Sequence, residues 1–250
     1  MRFSTGAVSR YAASGCDGPD LPATFDEARS FAAIFLQAGH QVFARWENAD
    51  VWGSDFREAG AGDREPQGGS DLAELYLFCG HGRCQSTPTA TDPDFLSVCS
   101  TSGRSDIVTI GREVRWGNTL RSGLQYAVID AGCSMDLVAL ANSWFPVFEG
   151  LHIALGHSGN SAADTLDSPD RGFLFALYAT GMHPFFPHYS VGDAWMNAGT
   201  EDIQPGCSAV ALAAGTSRSD AIWHRDHETI GVHSLFNYPA AWFAWKWRTA

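Results

Sequence analysis

Two short segments carry the residue types of nucleophilic catalysis. The first is Phe78-Cys79-Gly80-His81-Gly82, an imidazole between two glycines at the end of an apolar run. The second is Val128-Ile129-Asp130-Ala131-Gly132-Cys133-Ser134, in which another apolar run leads to a thiol. A thiol attacks a carbonyl at neutral pH only where its thiolate is favoured, by a nearby imidazole or by the unpaired N–H groups at a helix start. Cys133 has both prospects, since His81 can act as its base and a helical pattern opens at Cys133 itself. The glycines let the backbone turn sharply and leave the Gly82 amide able to face an oxyanion. With the Cys133 amide it makes a two-donor oxyanion hole. His157, in Gly156-His157-Ser158-Gly159, follows a further strand end and is a candidate lining residue of the same cleft. Asp130 is a candidate contact for a cationic substrate group, or a cap for the helix after it.

Such groups collect just beyond the carboxyl ends of adjacent strands in an open parallel sheet. The pattern supplies those strands. Arg2 to Tyr11, His40 to Trp46, Leu72 to Cys79, Leu124 to Ile129 and Leu151 to Leu155 read as strands, with Ser208 to Ala214 and Ile230 to Phe236 as late ones. Ala28, Phe31, Ala32, Phe35 and Leu36 recur at helical spacing before Gly39, with Thr24 and Glu27 spaced as a capping box. Ser134 to about Trp144, Gly172 to Thr180, and Val191 to Ala198 after the cap Ser190 read as further helices. Gly53 to Ser70 and Arg83 to Asp106 read as loops, and Ile107 to Trp116 as a hairpin or short strand pair. Strands alternating with helices predict an α/β fold, a mainly parallel sheet with helices on both faces. One domain is expected over residues 1–250, its core at about 72–155 and a less regular C-terminal annex at about 200–250.

At this point the chain resembles a family. The apolar strand ending in Gly80-His81-Gly82, and the strand ending in Asp130-Ala131-Gly132-Cys133, are similar to the two signatures of the caspase/gingipain/metacaspase group of cysteine peptidases. His81 precedes Cys133 by 52 positions, close to the roughly 50 that separate the caspase pair. The resemblance implies a caspase-like three-layer sandwich, with His81 as general base and acid and Cys133 as nucleophile. It also implies an oxyanion hole at the Gly82 and Cys133 amides and hydrolysis of a peptide or amide-containing substrate through a thioester. No cofactor and no metal are implied. If an amine rather than water resolves the thioester, the same apparatus is an acyltransferase or peptide cyclase of a biosynthetic pathway. Without chemistry, the scaffold is a binding domain. Asp130 departs from the family pattern, standing three residues before the cysteine instead of two, which leaves side-chain preference open.

Other constellations are weaker. Cys79, His81 and Cys84 have a zinc-like spacing but no evident fourth ligand. His224 and His227, with His233 downstream, read as a solvated loop or pocket rim rather than a metal site. Trp242, Phe243, Trp245 and Trp247 read as an aromatic tail packed on its own domain. Ser134 lacks the Gly-x-Ser-x-Gly context of a serine hydrolase. The net charge of −12 repels phosphate backbones and excludes nucleic acid as a first partner. No apolar stretch is long enough to span a bilayer. Six widely scattered cysteines and a start without a secretory signal suggest reduced thiols in a cytoplasm.

Overall fold

Short runs of consecutive apolar residues need cover on both sides, and a parallel sheet between two layers provides it. The computed structural model describes residues 1–11, 19–57, 69–83, 95–99, 105–118, 123–159, 170–201, 206–231 and 240–249. The strands are β1 (Arg2–Ala7), β2 (Gln41–Glu47), β3 (Leu75–Cys79), β4 (His81–Arg83), β5 (Phe95–Cys99), β6 (Ser105–Thr109), β7 (Tyr126–Asp130), β8 (Ile153–Ser158), β9 (Ser208–Gly215) and β10 (Trp242–Thr249). The helices are α1 (Ala23–Gln37), α2 (Ile110–Glu113), α3 (Leu140–Ser143), α4 (Asp170–Thr180), α5 (Val191–Glu201) and α6 (Arg218–His227).

Seven strands form the central sheet in the order β10-β9-β8-β7-β3-β1-β2. From β2 to β8 all neighbours are parallel, then β9 runs antiparallel to β8 and β10 antiparallel to β9. Alternate residues separate to the two faces, as the strand period of two requires. Leu75, Leu77 and Cys79 pack with Phe31, Phe175 and Trp195 under α1, α4 and α5. Tyr76 and Phe78 pack on the other face with Phe56, Trp116 and Trp144, among short helices and turns. Each such side chain contributes about 1.5–3 kcal/mol on burial. The architecture is α/β with a mainly parallel mixed sheet, as expected.

Several local expectations change. The Thr24 hydroxyl donates to the carbonyls of Val8 (3.1 Å) and Leu21 (2.9 Å) instead of capping α1, while Glu27 is buried under the sheet. The Ser190 cap is realised, its Oγ accepting from the Asp193 amide at 3.1 Å. Within Arg83 to Asp106, read as loop, β4, β5 and β6 form a small antiparallel sheet. Ile107 to Trp116 is the end of β6 followed by α2, not a hairpin or strand pair. The C-terminal part is regular, because β9, α6 and β10 complete the sheet edge. On β10, Trp242, Trp245 and Trp247 are exposed, so the aromatic tail does not bury itself; only Phe243 does so in part, stacked on Phe145. The predicted strand at Ile230 to Phe236 falls mostly outside the described residues, and Ile230 itself lies in a turn. No helix among the described residues is long and apolar enough to cross a membrane.

Candidate functional site

Hydrogen bonding between β3 and β7 decides where the two motifs meet. Cys79 is in register with Asp130, and the Gly80 amide donates to the Asp130 carbonyl at 3.1 Å. Beyond β3 and β7 the two segments stay in contact, the first of them as β4. A Cβ on Gly82 would lie 1.8 Å from the Gly132 carbonyl oxygen, so only glycine permits the approach. His81 and Cys133 therefore leave the carboxyl ends of neighbouring strands within one or two residues of that contact.

His81 is half-buried and fixed from three directions. Its amide donates to the Tyr11 hydroxyl at 2.8 Å, and its ring lies against the Tyr11 ring with centroids 4.4 Å apart. Its Nε2 lies 2.9 Å from the Pro19 carbonyl oxygen. A carbonyl can only accept, so Nε2 carries hydrogen, and in the neutral ring Nδ1 holds the lone pair. Tyr11 is buried, which pushes its phenol well above the ordinary range and keeps it protonated. Asp20 accepts from the Tyr11 amide at 2.8 Å, tying the chain just after Pro19 to Tyr11.

Cys133 sits in a turn rather than at a helix start, since the first helix after it is α3. The predicted helix from Ser134 is thereby corrected, and with it the helix-dipole route to a thiolate. Its φ of +52° is left-handed, uncommon for a residue with a side chain. Several hydrogen bonds hold the turn. The Cys133 amide donates to the Gly159 carbonyl (2.8 Å), the Met135 amide to the His157 carbonyl (2.8 Å), and the Ser134 hydroxyl to the Ile129 carbonyl (3.0 Å). In this state the Cys133 amide thus faces Gly159, and the expected pairing with Gly82 as oxyanion donors is not formed. The Cys133 sulfur is in a disulfide whose second side chain lies outside the described residues. The expectation that every thiol is reduced is corrected accordingly.

Asp130 and His157, expected at a substrate surface, lie instead in a buried ionic network under the helices. Asp130 is 0 % and His157 1 % exposed. One Asp130 oxygen accepts from Arg171 Nη1 at 2.7 Å and lies 3.1 Å from His157 Nε2. His157 Nδ1 lies 3.4 Å from Cys207 Sγ. Burial alone would raise the Asp130 carboxyl, but Arg171 and the neighbouring hydrogen bonds overcome it and hold it well below the carboxylate range. Burial, reinforced by Arg171, lowers the His157 imidazole. Burial and the Asp130 charge push Glu27 well up. Glu27 Oε2 and Asp130 Oδ2 otherwise lack a donor, and the proton kept by Glu27 supplies it between them. Cys79 points into this layer while the His81 ring turns to Pro19, so these two members of the zinc-like spacing diverge; Cys84 lies outside the described residues.

At the opposite end of the sheet lies a cluster that composition did not reveal. His152 Nδ1 is 2.7 Å from Glu228 Oε1, the Tyr126 hydroxyl donates to the same oxygen at 2.7 Å, and His224 Nδ1 bonds Glu228 Oε2. His224 is on α6 and buried, which corrects its reading as solvated, whereas His227 is exposed; His233 lies outside the described residues. Burial would raise the Glu228 carboxyl, yet the bonds from His152 and His224 bring it down to about 2. Burial would lower His224, but Glu228 and Asp220 outweigh it and raise it.

Sequence reading missed Tyr11, the Pro19 carbonyl, Glu27, Arg171 and the His152–Glu228 pair. A signal existed for two of them. Glu27 is four residues before Phe31, and Arg171 four before Phe175, both on buried helical stripes where a charge must find a partner.

No curated protein matches the chain. The family model described as Domain of unknown function (DUF6345) matches residues 7–248, and the chain belongs to that family.

Proposed function

We propose that this chain is a cysteine-dependent hydrolase of caspase-like fold, acting on a peptide or amide-containing substrate through His81 and Cys133 once the Cys133 disulfide is reduced. The observation that carries this reading is the contact of Gly82 with the Gly132 carbonyl at the ends of β3 and β7, with the Pro19 carbonyl orienting the His81 ring. A nucleophile, a base with its lone pair on a defined nitrogen, and a third group fixing that base form the general arrangement of nucleophilic catalysis. The strand order, with both groups following central neighbouring strands, supports the caspase-like assignment.

Chemically, the His81 Nδ1 takes the proton from the Cys133 thiol as sulfur bonds to the substrate carbonyl carbon. The oxyanion is met by the Gly82 amide, and by the Cys133 amide when it leaves Gly159. His81 then passes its proton to the departing amine, leaving a thioester. Water, deprotonated by the same nitrogen, releases the acid and restores the thiol. The left-handed turn at Cys133 is the element that must change, because amide and sulfur move with it.

A second reading, a non-catalytic cleft domain, is favoured by the engagement of both the Cys133 sulfur and amide. Iodoacetamide labelling after dithiothreitol separates the two. The hydrolase reading expects Cys133 to alkylate ahead of the other five cysteines, with the preference lost in His81→Ala. A reduced protein whose Cys133 labels no faster than the rest, and which cleaves nothing in a peptide library, would overturn it.

A further inference from the structure

The sheet end opposite His81 and Cys133 carries residues that the hydrolase reading does not use. Tyr126 opens β7, His152 directly precedes β8, His224 is in the last turn of α6, and Glu228 follows that helix. His152, His224 and Glu228 are 1 %, 2 % and 0 % exposed, and each offers a donor atom within 4.8 Å of the other two. His152 is 76 positions from Glu228 in the chain, whereas His224 and Glu228 are one helical turn apart, and all three converge on one dry point.

Hydrogen bonds alone serve every member of this cluster only if His224 carries two protons. His224 turns Nδ1 to Glu228 while its Nε2 lies 3.4 Å from Asp220 Oδ1. A neutral imidazole carries one N–H, so it cannot donate to both carboxylates. Protonating His224 would satisfy them and neutralise Glu228. His152 and the Tyr126 hydroxyl would then converge on a carboxylate already compensated. A cation at the centre explains every member at once. Both Nδ1 lone pairs and a Glu228 oxygen would face it, the His224 hydrogen would stay on Nε2 and point to Asp220, and Tyr126 would donate to the ligand carboxylate. Metal-binding histidines and carboxylates are ordinarily held by such outer partners.

We propose that His152, His224 and Glu228 form a binding site for a divalent first-row transition metal, with Asp220 and Tyr126 as its outer hydrogen-bonding partners. Two imidazoles and one carboxylate suit zinc better than magnesium or calcium, which prefer all-oxygen ligands. Zinc–ligand bonds of about 2.0–2.2 Å require the donor atoms to spread by roughly half an ångström from hydrogen-bond spacing. On binding, a neutral His152 shifts its proton from Nδ1 to Nε2, and a protonated His224 releases its Nδ1 proton to solvent. The bound ion fastens the end of α6 to the edges of β7 and β8, a structural role separate from the thiol chemistry.

Cobalt is the probe, titrated into the full-length protein after stripping with a chelator. One equivalent should bind, with visible d–d absorption, displacement by zinc, and a zinc-dependent rise in thermal midpoint. Glu228→Gln and His152→Gln should abolish the absorption, and Asp220→Asn should weaken binding by about tenfold. Cys133→Ala should leave spectrum and stoichiometry unchanged. A folded wild-type protein that gives no absorption and no midpoint shift overturns the proposal, as does cobalt binding that survives Glu228→Gln. Should the variants fail to fold, ring-nitrogen NMR of the wild type decides. Zinc-dependent loss of the Nδ1–H signals of His152 and His224 supports the site, and unchanged signals sink it.

Discussion

The two ends of the central sheet hold histidines in opposite ways. At the carboxyl ends of β3 and β7, His81 is half-buried and held by an aromatic ring and a loop carbonyl, and beside it Cys133 occupies a left-handed turn. At the other end, His152 and His224 are buried against one carboxylate that also takes a tyrosine hydroxyl. The first arrangement turns one ring nitrogen of His81 to a carbonyl and puts Cys133 in a left-handed turn. The second gathers two imidazoles and a phenol on the two oxygens of Glu228. Groups that react need an unsatisfied valence near solvent, whereas groups that hold a fold together have their partners already. Between the ends, the Asp130–Arg171–His157 network is buried like the second kind, although Asp130 and His157 come from the carboxyl-terminal ends of β7 and β8, with Arg171 reaching them from α4.

This contrast makes predictions that break it or sharpen it. The largest concerns rate. In reduced protein, Cys133→Ala should lower turnover by on the order of 10⁴-fold or more, measured by product release from a peptide substrate; unchanged turnover would place the chemistry elsewhere. Next comes stability. Arg171→Ala leaves Asp130 as an uncompensated buried charge and should lower unfolding free energy by about 3–5 kcal/mol, read from urea denaturation. A loss under 1 kcal/mol would show that water reaches the network.

The pH dependence is a third test. His157 is lowered below its ordinary 6.5, so its contribution is complete above about pH 6.5 and is lost as pH falls towards its folded value. Asp130, held below its ordinary 3.8, adds a further loss at still lower pH. Glu27 acts in the opposite sense: raised above 4.5, it stabilises fully below that pH and loses its effect as pH rises through its folded value. Denaturation midpoints measured across this range should fall on acidification, and Glu27→Gln should remove only the loss on the alkaline side. A Glu27→Gln curve that overlays the wild type would refute the shared proton.

Smaller effects follow. Tyr11→Phe keeps the ring against His81 but removes the acceptor of its amide, at a cost of about 1 kcal/mol. As Tyr11 positions His81, kcat should drop several-fold with KM unchanged, and the pH–rate profile should shift. A change in KM alone would contradict that role. Smallest of all, Trp245→Lys on the exposed face of β10 should alter stability by no more than about 0.5 kcal/mol, measured by thermal denaturation.

Much of the sheet was legible because Leu75 to Cys79 and Tyr126 to Asp130 are uninterrupted apolar runs ending at glycine-containing turns. Phe95–Cys99 and Ser105–Thr109 were not, since their pairing is an edge-to-edge choice among polar, loop-like surroundings. The helix expected after Cys133 failed for a different reason. Its periodicity was real, but hydrogen bonds from Cys133 and Met135 to Gly159 and His157 outcompeted the helical ladder there.

The sequence by itself determined the parallel strands at the centre of the sheet, that both faces of the sheet are covered, and that His81 and Cys133 follow strand ends. Hydrophobic period and glycine placement are local properties, and a linear chain displays them. Only the tertiary structure decided the nitrogen on which His81 holds its lone pair, the left-handed turn and disulfide of Cys133, and the convergence of His152, His224 and Glu228. Each depends on a partner many residues away, and no local pattern records which distant group will arrive.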